Sequence, residues 1–120
     1  SIGTFFHAEN VHPQMKRKEI IIGSNVRGKI FIDKGGSEAI LNKGSSLLAI
    51  GITKIEGSFS EGDAVSLFYE NHEIARGISH YGSVELAQIK GLHTKEMRNA
   101  LGTPPPYDTV IHRDNLLVMR

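Results

Sequence analysis

The sequence predicts a mainly β domain, a small barrel or sandwich with short helices set among its strands. Three observations carry that expectation. Thirteen glycines punctuate the 120 residues at short intervals, the spacing of turns between short strands. Several stretches between them are apolar and β-branched. In one of these, residues 64–69, Val65, Leu67 and Tyr69 alternate with Ala64, Ser66 and Phe68, the period of a strand with two distinct faces.

The elements follow in order. Residues 18–22 end in three isoleucines and read as a strand. Residues 29–32, after Gly28, read as another. Ser37 is placed to cap a helix over residues 38–43, with Gly44 just past its end and Ile40 and Leu41 as its buried pair. Residues 52–55 form the next strand, stopped by Gly57, and residues 64–69 the one after it. Asn71-His72 is a turn, and residues 73–79 return with Ile74 and Ile78. Ser83 is expected to cap residues 84–90, closed by Gly91, with Leu86 and Ile89 on one face. Thr94 is expected to cap residues 95–101, closed by Gly102, with Met97, Ala100 and Leu101 at helical spacing. Pro104-Pro105-Pro106 holds residues 103–107 in an extended loop. Val110-Ile111 and Leu116-Leu117-Val118 make a final extended segment.

Composition excludes several functions. Lysine plus arginine is 14 and aspartate plus glutamate is 13, for a net charge of +1. That is too little for a general nucleic-acid coat, although a local basic patch remains open. Cysteine is absent, so disulfides, thiolate zinc sites and cysteine nucleophiles are excluded. No apolar run approaches the roughly 18 residues of a membrane span. Ser1 to Phe6 lack the cationic and apolar regions of a signal peptide. A cytoplasmic chain with no membrane partner is expected, and the absence of a starting Met suggests a processed or excised one.

The motifs with chemical potential mostly resolve into plain structural roles. His112-Arg113-Asp114 resembles a kinase catalytic loop, but the position for the magnesium-binding Asn holds Met119, and Asn115 has the wrong spacing. A turn or an Arg113–Asp114 pair, with Ile111 and Leu116 in the core, is expected instead. None of the six histidines shows a helical metal-binding pair. No Gly-x-Ser-x-Gly elbow occurs. Gly35-Gly36 opens a helix and either receives a phosphate or makes a tight turn. Lys16, Arg17 and Lys18, with Arg27, Lys29 and Lys34, form either a phosphate-binding patch or a charged strand edge that resists aggregation.

Taken together, several segments resemble one family. Gly28-Lys29-Ile30-Phe31-Ile32-Asp33-Lys34-Gly35-Gly36 is similar to a "glycine, strand, Asp-x-Gly-Ala" opening. Gly44-Ser45-Ser46-Leu47-Leu48-Ala49-Ile50-Gly51-Ile52 resembles "Gly-x-Ser-Leu-Leu-x-x-Gly-Ile". Gly57-Ser58-Phe59-Ser60-Glu61-Gly62-Asp63-Ala64-Val65 matches "Gly-x-Phe-x-x-Gly-Asp-x-Val", and Ile74-Ala75-Arg76-Gly77 matches "Ile-Ala-Arg-Gly". These are motifs of the PUA domain, whose fold is a mixed pseudobarrel with short helices. Residues 110–116 and 91–97 further resemble the closing part of the glutamate 5-kinase (γ-glutamyl kinase) family, and residues 2–6 resemble the last strand of its amino-acid-kinase domain. Two departures are the absence of a Trp near the Lys/Arg run and Gly36 in place of the usual Ala.

The resemblance implies that residues 1–14 are the remnant of an upstream amino-acid-kinase domain and linker, and residues 15–120 a PUA-like pseudobarrel. It implies a parent enzyme that phosphorylates L-glutamate to glutamyl 5-phosphate in proline biosynthesis. That enzyme would bind ATP and magnesium in its upstream domain, join this chain in cis and form a homo-oligomer. The chain itself would hold no cofactor and carry no catalysis. Two roles for it stay open. In an RNA-binding module, Gly35, Gly36, Ser37, residues 47–51 and the strand Ala75 to Gly77 would meet structured RNA, with Arg76, Lys16, Arg17 and Lys18 on phosphates. In a regulatory or structural accessory, an exposed apolar patch would dock on the kinase domain or a neighbouring subunit. A stand-alone RNA-binding PUA protein is a third reading.

Overall fold

Lys29 and Phe31 point to the opposite side from Ile30 and Ile32, and that alternation builds the first strand. A computed structural model describes residues 25–119. The expected strand at residues 18–22, residues 1–14 and the Lys16, Arg17, Lys18 run lie outside the described residues. Among the described residues five strands form one sheet: β1 (Gly28–Ile32), β2 (Ile52–Gly57), β3 (Ala64–Tyr69), β4 (His72–Ile78) and β5 (Leu116–Val118), in the order β2-β1-β3-β4-β5. The β1–β3 pair is parallel, with Gly28 opposite Val65 and Phe31 opposite Phe68; the other pairs are antiparallel. The mainly β class with short helices is thus observed.

The core lies on the inner face of the sheet. Ile30, Val65 and Leu67 are fully buried there, packed with Ile40, Leu86, Ile89 and Met97 from three helices. These are α1 (Lys34–Lys43), α2 (Ser83–Ile89) and α3 (Thr94–Leu101). All three were expected, but their starts differ. Asp33, not Ser37, caps α1: its Oδ1 accepts the Gly36 N–H at 2.7 Å. The chain leaves β1 at Asp33, so the first free helical amides sit beside that carboxylate. Ser37 lies inside the helix and is 4% exposed. Gly44 ends α1 as expected, in the left-handed region at φ 63°, donating its N–H to Ala39 O. Leu41 packs at the margin of the core rather than in it.

Ser83 and Thr94 likewise open their helices from within. Gly82 precedes α2, and the Ser83 hydroxyl accepts from the Phe59 N–H at 3.2 Å. His93 precedes α3, with its N–H donated to Glu96 at 3.0 Å. Met97 is buried, whereas Ala100 and Leu101 are half-buried.

Val110 and Ile111 do not run on into β5. Ile111 makes an isolated antiparallel bridge to Leu47, and a 3-10 turn at Arg113–Asn115 intervenes. In that turn the Asp114 N–H donates to His112 Nδ1 at 3.1 Å, and the Arg113 N–H to Ser46 Oγ at 2.8 Å. No Arg113–Asp114 ion pair forms among the described residues.

Gly77 shows how tightly this closing segment lies on the sheet. A Cβ there would stand 2.6 Å from Ile111 Cγ2 and 2.9 Å from the Asn115 carbonyl oxygen. Backbone on one side leaves little room for relief. Gly77→Ala is therefore expected to destabilise the chain by about 1–3 kcal/mol in urea unfolding. Gly35→Ala is the control, since its nearest neighbour would be Asp33 Oδ1 at 3.6 Å. It should be neutral or gain up to about 1 kcal/mol. Equal losses in the two variants would remove the packing explanation.

Candidate functional site

Where β1 ends, the chain turns into α1 and later passes back beside it. The Asp33 N–H donates to Gly51 O at 2.9 Å, and Gly51 N–H to Leu48 O at 3.1 Å. A Cβ built on Gly51 would lie 3.4 Å from Gly36 Cα, so the two backbones nearly touch. Leu47 is pinned from behind by Ile111 and Val110, through N–H to O bonds of 2.9 and 2.8 Å. The 3-10 turn Ala49–Gly51 then buries Ala49 and Gly51 and turns Leu48 and Ile50 outward, 43% and 40% exposed.

Between α1 and this segment lies a groove of about 410 Å³. Gly35, Gly36 and Ala39 line one side, and Ser45 to Leu48 with Ile50 and Gly51 the other. Among the described residues, Asp33 is its only charged lining residue. A carboxylate set at the start of α1 opposes a phosphate there, since the Gly36 N–H already bonds to it. The groove is best suited to an apolar or neutral group. Its two exposed aliphatic side chains offer surface that is stabilised when covered.

Of the residues singled out in the sequence, Gly35 and Gly36 therefore meet residues 47–51 in one groove. Ser37 does not join them, because its side chain is buried in α1. Arg76 and Gly77 lie on β4, which is separated from β1 by β3. Gly77 is occupied by its packing on residues 111 and 115. The Arg76 guanidinium is held by Glu73, Nε to Oε2 at 2.6 Å, and Ser66 Oγ donates to the same oxygen at 2.8 Å. The hydrogen bond from Arg76 holds the Glu73 carboxyl below its ordinary value of 4.5, against the opposing effect of burial and with help from Ser66. The same bond raises the Arg76 pKa.

A feature the sequence reading passed over is the outer face of the sheet. Phe31 and Phe68, paired across β1 and β3, have ring centroids 5.4 Å apart. Lys29 Nζ stands 5.2 Å from the Phe68 ring and Lys54 Nζ 5.3 Å from the Phe31 ring. The signal was the alternation within β1, which sends Lys29 and Phe31 out together. Lys29, open from the sequence as part of a phosphate patch or of a charged strand edge, lies over an aromatic ring.

Among the described residues no group of three or more His, Asp or Glu is placed to hold a metal ion. No described helix is long and apolar enough to cross a membrane.

The profile of a family described as "PUA domain" matches residues 28–101. The chain is 45% identical over 118 residues to a glutamate 5-kinase of Dictyoglomus turgidum, a match that covers 98% of this chain and 32% of that one. It is 42% identical over 120 residues to the glutamate 5-kinase of Microcystis aeruginosa, covering 99% and 31%. The chain thus spans about a third of the length of the curated relatives it matches. Among solved structures, a PUA domain from Aeropyrum pernix K1 in a tartrate complex is 28% identical, with a TM-score of 0.50 over 72% of this chain and 43% of that one.

The Glu73–Arg76 pair gives a test by pH. A depressed carboxyl pKa adds stability that is present above about pH 4.5 and is lost as pH falls through the folded-state value. Glu73→Gln should cost about 1 kcal/mol at pH 7, the scale of a half-exposed pair. The gap to the parent chain should narrow as pH falls below about 4.5 in urea titrations. A gap that stays constant with pH would mean the carboxylate charge contributes nothing.

Proposed function

The chain belongs to the PUA domain family, and on that premise we propose that it serves as a non-catalytic accessory module of a glutamate 5-kinase. It would be joined in cis to the catalytic region and dock there through the groove at residues 33–51. The observation that carries this reading is the pair of exposed side chains, Leu48 and Ile50, on either side of buried Ala49. Exposed aliphatic surface at the lip of a groove suits a protein surface better than a phosphate backbone. The near-complete coverage of this chain by longer glutamate 5-kinases supports the arrangement in cis.

On this reading the longer enzyme phosphorylates the side-chain carboxylate of L-glutamate with ATP and magnesium, as part of proline biosynthesis in the cytoplasm. Residues 1–14 belong to the junction with the catalytic region. Transfer of a phosphoryl group needs cations and amides gathered around the moving charge. Those groups lie in the catalytic region, and this chain alone turns over no ATP. In a homo-oligomer the groove would contact either its own catalytic region or a neighbour's.

Structured RNA is the second reading, for this module or for a stand-alone PUA protein. It is favoured by the glycine backbone of Gly35, Gly36 and Gly51, which leaves the groove wall open to close approach. It is weakened by Asp33 in the groove and by the pairing of Arg76 with Glu73.

The test places this chain in the Dictyoglomus turgidum enzyme in exchange for the matching third, with and without L48E/I50E. In the isolated chain the double variant should shift stability by no more than about 0.5 kcal/mol per site, as for exposed positions. In the full-length chimera it should cost about 2 kcal/mol or more, through lost apolar contact. Equal behaviour in both settings would sink the docking reading. Micromolar binding of the isolated chain to folded tRNA, steeply weakened by salt and by L48E/I50E, would transfer the groove to RNA.

A further inference from the structure

A second, larger groove of about 640 Å³ lies between α2, the end of α3 and the proline loop. Tyr81 and Phe59 form its buried floor, Val84 and Glu85 one wall, Pro106 the other, and Glu61 its rim. Nothing in the function proposed above uses it.

The loop wall is held in place before any ligand arrives. The Tyr81 hydroxyl donates to the Tyr107 carbonyl oxygen and accepts the Tyr107 N–H at 3.2 Å. The two rings meet edge to face at 6.0 Å, and His80 stacks on Tyr107 at 4.4 Å. The Tyr107 hydroxyl donates to Glu61 Oε2 at 3.0 Å. Three consecutive prolines stiffen the loop further. A wall fixed in this way loses little entropy when a ligand binds.

The charge is one-sided. Two carboxylates, Glu61 and Glu85, line the groove, and among the described residues no lysine or arginine does. Neither acid has an ion-pair partner among the described residues. Asp108 adds to the same field: burial first, and then the charges of Asp108 and Glu61, push the Tyr81 phenol pKa up. The sheet face is different, for there Lys54 pairs with Glu56 at 2.9 Å and Arg76 with Glu73. Val84 adds an aliphatic lip that is 70% exposed. Carboxylates beside aromatic and aliphatic surface match one kind of side chain, a cation at the end of an apolar stem. We propose that this groove docks an arginine- or lysine-bearing segment of a partner protein. Its acids repel a nucleic-acid backbone.

The test is an NMR titration of the isotope-labelled 120-residue chain with a capped Arg-Leu-Arg-Leu peptide. A Glu-Leu-Glu-Leu peptide and a hexauridine RNA form the comparison arms. Saturable shifts are expected at the amides of Gly82, Val84, Glu85 and Thr103, with Kd below about 1 mM. E61Q/E85Q should weaken binding about fivefold or more, while E38Q/E70Q, outside the groove, leaves it unchanged. Should E61Q/E85Q lose its native spectrum, Val84→Ser provides the same reading by removing the lip. The proposal is overturned by the absence of saturable shifts, by shifts confined to other regions, or by affinity unaltered in the groove variants. An equal response to the acidic peptide or to the RNA would overturn it as well.

Discussion

Parallel pairing of β1 with β3 is the constraint on which the rest of the architecture depends. Parallel neighbours cannot be joined by a tight turn, because the chain must return to the same end of the sheet. Here the return runs from Asp33 to Asp63, and it carries α1, the turn at Ala49–Gly51 and β2. The outbound and returning stretches pass each other at one place, where Asp33 N–H meets Gly51 O and Gly36 backs onto Gly51. A Cβ on Gly36 would stand 3.3 Å from Asp33 Oδ1 and one on Gly51 3.4 Å from Gly36 Cα, so small residues on both let the two stretches lie side by side. The groove at residues 33–51 is the space left beside that contact. Its position is a product of topology, while its character comes from which residues the 3-10 turn exposes.

The same constraint explains the second groove. With β3 central, β4 and then β5 complete the sheet on one side, and α2, α3 and the proline loop lie in the connection between those two strands. The Gly91 N–H donates to Ala49 O at 2.7 Å, tying the end of α2 back to the crossover. The loop is then anchored through Tyr81. The two grooves thus arise from two long connections of one sheet, and their chemistries differ. One presents aliphatic side chains with a single carboxylate already used as a cap. The other presents aromatic surface with unpaired carboxylates.

Much of this was legible in the sequence, and the parts that were not share a cause. Strands β1 to β4 could be read because each alternates or carries β-branched residues between turn signals. The three helices could be read from their apolar spacing, yet all three caps were misplaced. Ser37, Ser83 and Thr94 are good capping residues, but a cap forms where the backbone actually leaves the preceding segment. That point was set by the end of β1 at Asp33 and by the turns at Gly82 and His93. The candidate site divided in the same way. Gly35, Gly36 and residues 47–51 are close in sequence and were brought together by the crossover. Arg76 and Gly77 were grouped with them by motif alone, and sheet order separates them. No local pattern encodes that order, because it follows from which strands pair across thirty or more residues.

A net charge of +1 gives no hint of how the charges are arranged. On the outer face of the sheet two pairs cancel locally, Lys54 with Glu56 and Arg76 with Glu73, while Lys29 keeps its charge over the ring of Phe68. Such pairing leaves that face only a small net positive charge, and each of these three cations already has a carboxylate or a ring beside it. In the groove beside the proline loop, by contrast, Glu61, Glu85 and nearby Asp108 act in the same direction, with no lysine or arginine among the described residues lining the cavity. In that groove the acids are left without an ion-pair partner among the described residues, even though the sequence as a whole is slightly basic. The basic side chains that suggested a phosphate-binding role are, in the sheet, committed to stabilising it.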